Sequence, residues 1–400
     1  MKSPALLLLL ILSSSLYAQL TIESTMDGGN WSDPATWTGG SVPAAIDFVV
    51  LKGPVYLDEN ATCDGLTVQT GGELRNTGGP RILDVTSDVI NNGLIDNVSY
   101  ILTLNISGNI ENHGAWQNGV TNLVGTLPQE IKTFATFEGT HLNNFKPSGN
   151  ISSSIPLRME ATTFDLNNGI FYFTSGLDTI YYNNGSLLNG SVICLNSPSN
   201  LYCFTNSIHE FENLSITCDE VHFDGYTTFS NYFEIFGDVM NLGTLANKQV
   251  SNQTATVNGN FTNLGTLLDN SYGWSIHITG DIFQNGTWSV FYTYLSGDGD
   301  QNLYFNNPFE GENLQKDNPS GKAVAQTSLN FLNTWIDLDF DTLTFENPGD
   351  SLSVQGNLKY AREMVITASV AKASEPFKIF AGGTAYFENV EIIAETIDLR

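Results

Sequence analysis

Basic residues are scarce in this chain. Fifteen lysines and arginines stand against 42 aspartates and glutamates in 400 residues, a formal net charge of −27. Gripping phosphates takes stripes of Lys and Arg, so this balance argues against nucleic acid and against anionic membrane surfaces as partners. The acids are scattered, not gathered in runs, which reads as solubility in a saline exterior ahead of an acidic binding face. Cysteine is sparse too: Cys63, Cys194, Cys203 and Cys218, with no Cys-x-x-Cys spacing to suggest zinc or redox work. An oxidising exterior permits a bridge, and Cys194, Cys203 and Cys218 lie close enough in sequence to form one. Cys218 also shares alternation parity with Leu214 and Ile216, which turns it toward a core, so the bridge stays open. Helical periodicity is almost absent. No Ser-His-Asp spacing, phosphate loop or zinc motif appears.

One long apolar run is present, at the start. "MKSPALLLLLILSSSLYA" has Lys2 at its positive end, an apolar stretch from Ala5 to Leu12, and Tyr17-Ala18 before Gln19. It reads as a secretory signal peptide over residues 1–18, with Leu16 larger than the usual small residue three before the cut. The run is short for a bilayer span, which puts a membrane anchor second, and no later stretch is apolar enough to cross. The expected location is extracellular or at the cell surface.

Self-similarity is the strongest internal signal. "VTSDVINNGLI" begins at Val85 and "ISGNIENHGAW" at Ile106, twenty-one residues on; "IFGDVMNLGTL", "VNGNFTNLGTL" and "ITGDIFQNGTW" begin at Ile235, Val257 and Ile278. Their shared form predicts strand, sharp turn, strand, with the repeated Gly expected at positive φ. A longer repeat has a 172-residue offset, from "GTLPQEIKTFATFEGTHLNNFKPSG" at Gly125 to "GDGDQNLYFNNPFEGENLQKDNPSG" at Gly297. It pairs Gln129 with Gln301, Phe137 with Phe309, Gly139 with Gly311 and Pro147 with Pro319. Without a gap to Leu166 and Leu338 it holds 13 identities in 42 positions, too many for chance. Such coils predict an all-β parallel β-helix, a solenoid whose strands stack about 4.8 Å apart. A row of tandem antiparallel β-sandwiches is the competing architecture. Frequent Asn residues are expected to form amide ladders between coils.

The stretch "GGNWSDPATWTGGSVP" suits an atypical cap over the open end of a solenoid. Asp33-Pro34 fits the first two positions of a type I turn, folding Trp31 and Trp37 over the core. The functional alternative is a tryptophan platform for sugar rings. "GNWSDPATWTGGSVP", "DFVVLKGPVYLDE" and "LTVQTGGEL", covering about Gly28 to Leu74, resemble the start of the eight-glycine domain, a module of extracellular proteins. Ile46 departs from that pattern, where the family usually places Gly before Asp47. The resemblance implies a right-handed parallel β-helix, a surface or secreted setting, and glycan binding or polysaccharide processing. The downstream coils look like those of bacterial surface proteins exported by the type IX route. The expected organisation is a signal peptide over 1–18, an eight-glycine-like cap with first coils over 19–124, a first long unit over 125–296, and a second, incomplete one over 297–400.

Candidate chemistry is thin. The densest polar stretch, "HEFENLSITCDEVHFD", holds His209, Glu210, Asp219, Glu220, His222 and Asp224. It reads first as an ordinary polar face, because a polysaccharide lyase needs a cation beside these acids and none is there. "SGDGDQN" offers Asp298 and Asp300 as an oxygen-rich turn for calcium, or simply a turn between coils; no other cofactor is expected. The function read here is a secreted or cell-surface β-helical structural or adhesive repeat protein that binds extracellular glycans or other cell-surface components. A polysaccharide lyase or glycoside hydrolase on the same scaffold is the alternative.

Overall fold

A computed structural model of the protein describes residues 19–175, 177–196, 199–247, 253–270, 273–317, 320–355, 361–368, 377–382, 387–394 and 397–399. The leader-like run at 1–18 lies outside them. The chain winds into a parallel β-helix of about 15 turns. Each turn contributes up to three short strands, as in Gly65–Val68, Glu73–Asn76 and Arg81–Val85. Each strand pairs in parallel with its counterpart one turn away: Leu66 with Val89, Leu74 with Ile95, Val85 with Ile106. Parallel ladders running the length of the described residues rule out the antiparallel sandwiches.

Period-two alternation decides which side chains enter. The apolar residues that open the five short repeats, Val85, Ile106, Ile235, Val257 and Ile278, are all buried in one continuous core. Asparagines fill specific columns. Inside, Asn241 donates to Asn263 at 2.9 Å and Asn263 to Gln284 at 2.8 Å, all fully buried. Outside, Asn105 donates to Asp84, Asn122 to Asn105 and Asn143 to Asn122, at 2.7–2.9 Å. At the corners an Asp or Asn accepts the backbone N–H of the next coil, as Asp238 does from Asn260 and Asn260 from Asp281. An in-register parallel stack makes this possible, because each amide meets a copy of itself about 4.8 Å away.

The motif glycines have a different reason from the one expected. Among them only Gly237 has positive φ. The others sit where corner backbones lie directly on one another: a Cβ on Gly265 would meet Gly243 O at 2.0 Å, and one on Gly286 would meet Gly265 O at 1.9 Å. Any side chain there would prise the coils apart.

The 172-residue correspondence is structural. Gln129 and Gln301 each donate from Nε2 to two carbonyls of the preceding coil, of Ile106 and Gly108 and of Ile278 and Gly280. Trp116 and Trp288 donate to Thr121 and Thr293, and the hydroxyls of Thr162 and Thr334 to the carbonyls of Phe137 and Phe309. At the N-terminal end, Pro34–Thr36 form a single 3₁₀ turn with Asp33 as N-cap, its carboxylate accepting from Ala35 N at 2.9 Å. The Asp33-Pro34 turn, closed by Thr36 N to Asp33 O, runs into a second closed by Trp37 N to Pro34 O. The four cysteines are buried thiols, and none is bridged in this structure.

Candidate functional site

The outward face of one sheet changes character along the molecule. In its first half the column Asp84, Asn105, Asn122, Asn143 is a closed amide ladder. The positions 172 residues later are Thr256, His277, Tyr294 and Gln315, and they occupy one column of the same sheet. Here rings replace amides. His277, on the Trp274–Ile278 strand, stacks on Tyr294 of the Tyr292–Leu295 strand, centroids 4.3 Å apart and planes 13° from parallel. Register produces the stack, because side chains directly opposite on paired strands meet face to face.

A groove of about 490 Å³ runs beside this stack, lined by Thr254, Thr256, Asn258, His277 and Asp317. His277 Nδ1 lies 2.9 Å from the Asp317 carboxylate and 3.3 Å from Ser296 Oγ, which fixes the ring's orientation. Burial, with Tyr292 and Asp317 nearby, raises the Tyr294 phenol, so it stays protonated and able to donate. Across the threonine floor, Tyr232 pairs with Thr254 and Phe236 with Asn258, and both rings stand about half exposed. The result is a hydroxyl- and amide-lined floor with the His277–Tyr294 stack on one side and, on the other, Tyr232 and Phe236 flanking the Glu234 carboxylate, which accepts from Asn258 Nδ2 at 2.8 Å. Sequence reasoning did not single out these residues. The available signal was the exchange of Asn105 and Asn122 for His277 and Tyr294 between the two long units.

The residues singled out from sequence are distributed otherwise. Glu210 stacks on Ser186 and accepts from Ser230 Oγ at 2.9 Å. Asp219 accepts from Ser199 N at 2.8 Å, and Glu220 pairs with His222 at 3.0 Å, whose ring stacks on Tyr202. Asp224 is exposed, and the His209 side chain lies outside the described residues. These acids serve separate local contacts and do not face a common point. Asp298 and Asp300 are exposed, and Asp300 accepts from Lys322 N in the next coil at 2.9 Å. Among the described residues no three His, Cys, Asp or Glu side chains converge to hold a metal ion.

Trp31 and Trp37 are buried to within 2 % of full enclosure, edge to face at 5.1 Å, with Trp37 Nε1 donating to Trp31 O at 2.8 Å. Rings so enclosed leave no face for a sugar. Among the described residues no helix is long and apolar enough to cross a membrane. No family model, curated protein or solved structure matches the chain.

Proposed function

We infer from the β-helical solenoid that this is a structural repeat protein. We propose that it works as a secreted or cell-surface β-helical stalk whose Thr256–His277–Tyr294 face binds neutral glycans. The observation that carries this reading is the replacement of a closed amide ladder by rings at the same column. A ladder whose amides satisfy one another has little left to offer a ligand. Rings flanking a threonine floor offer apolar faces for sugar C–H surfaces and hydroxyls for their oxygens, the mixture that characterises small-molecule sites. The charge of −27 repels acidic polysaccharides, which favours neutral ones. A regular stack also repeats contacts along an extended polymer, so weak individual contacts add by multivalency.

The test is an array of neutral and acidic glycans probed with the purified protein and with Tyr294→Ala. Neutral glycans are expected to bind the wild type and to bind Tyr294→Ala at least about tenfold more weakly, the loss of roughly one good contact. Absence of binding to every glycan, or equal binding by the variant, would overturn the reading. Release of sugar products would replace it with the enzyme.

A further inference from the structure

Cys194 ends the Ser186–Cys194 strand, and that strand lies in register on the next coil, with Val192 against Ile216 and Ile193 against Thr217. The next position on each strand is a cysteine. In the preceding coil the column holds Phe173, paired with Cys194, so both thiols point inward. Cys194 and Cys218 are at most 9 % exposed, the Cys218 thiol donates to the Glu220 carbonyl at 3.3 Å, and its nearness helps push the Cys194 thiol up. The Asp178 carboxyl, itself fully buried, also pushes the Cys194 thiol up. Cys203 lies nearby on the Asn200–Asn241 strand, opposite Ile180, and Cys63 stacks on Val85 many coils away.

We propose that Cys194 and Cys218 close a disulfide that staples these two adjacent coils. The ladder pairs the residues just before them, Ile193 and Thr217, and paired neighbours on parallel strands are about 4.8 Å apart at Cα, inside the 4.4–6.8 Å window of natural disulfides, so the two cysteines one step on lie within reach. The chemistry balances with glutathione disulfide as oxidant: one thiolate attacks it, releasing a glutathione thiolate. The second thiol displaces the other glutathione, so two thiols and one glutathione disulfide give one protein disulfide and two glutathiones. Contact with Cys218 and burial hold the Cys194 thiol protonated in the folded chain, which slows the first attack there. The folded thiol pair is therefore the state before oxidation, and it closes more slowly than the same pair does while the coils are docking. Because each coil is held mainly by its neighbours, a staple in mid-stack resists local opening of both coils.

The test is to refold the reduced, denatured protein in a glutathione redox buffer and map its disulfides by alkylation and mass spectrometry. The expected product has the native fold, a Cys194–Cys218 peptide, and two free thiols where the reduced chain has four. Cys63→Ser should leave the bridge in place and lower the free-thiol count to one, and Cys194→Ser should abolish the bridge. Treating the native reduced protein with diamide, a small thiol oxidant, should give the same pairing, so the test does not depend on refolding. Four free thiols after both treatments, or a bridge through Cys203, would overturn the assignment.

Discussion

Asn263 offers the sharpest reading of what holds the coils together. Its side chain is fully enclosed and makes three hydrogen bonds: from Asn241 Nδ2 at 2.9 Å, to Gln284 Oε1 at 2.8 Å, and to the Thr287 carbonyl at 2.9 Å. Asn263→Ala leaves the two acceptors buried without this donor. Each such orphan costs about 1–3 kcal/mol, so a loss of about 4 kcal/mol is expected. The outward ladder is the internal control. Asn122 donates to Asn105 and accepts from Asn143 at similar distances, but water reaches that face and replaces what is lost. Asn122→Ala is expected to cost about 1 kcal/mol or less. Native-state hydrogen exchange over residues 239–289 reads the difference directly: a 4 kcal/mol loss lowers protection almost a thousandfold. Equal costs for the two variants, or a cost below about 1 kcal/mol for Asn263→Ala, would refute the idea that the buried amides carry the stack.

Two further outcomes follow from the same geometry. Trp37→Ala removes a buried ring and its hydrogen bond to Trp31, and is expected to cost about 3–5 kcal/mol. The loss of exchange protection should concentrate between Phe48 and Leu74, because solenoid coils depend on their nearest neighbours; unchanged protection there would remove Trp37 from the cap. Spin labels at Thr103 and Ser275 sit in one outward column, linked through Val120, His141 and Thr163 at one end and Tyr232 and Thr254 at the other. With about eight strand spacings between them, double electron–electron resonance should give a distance of about 38 Å, and one below about 25 Å would contradict the stack.

The coil and its period were legible because burial disciplines them. Most inward positions are apolar and the rest carry small polar or amide groups, so Val85, Ile106, Val257 and Ile278 recur in the same place of each coil. The stretch over residues 200–234 was harder to read. Its coil corners use Asn213 and Asn231 at positive φ in place of the Gly-Asx marker, so the repeat is masked. The reason for the motif glycines was also hidden, because one coil's sequence does not show the backbone of the next pressing against it. The candidate site was least legible. Outward residues answer to no packing constraint, and His277 and Tyr294 look ordinary until they are set against Asn105 and Asn122 in the earlier unit. The acids around Glu220 looked denser in sequence than they are in space, because alternation and corners turn them to different partners.

We propose that the exchange of an amide ladder for rings creates a binding face, and one double variant tests it. The double variant His277→Asn with Tyr294→Asn restores the first unit's residues at that column, opposite Thr256 and Gln315. Calorimetric titration of a neutral oligosaccharide taken from the array, with melting measured alongside, decides the matter. The expected outcome is melting within a few degrees of wild type and no measurable binding. Binding retained at wild-type strength on a chain with its amide ladder restored would contradict it.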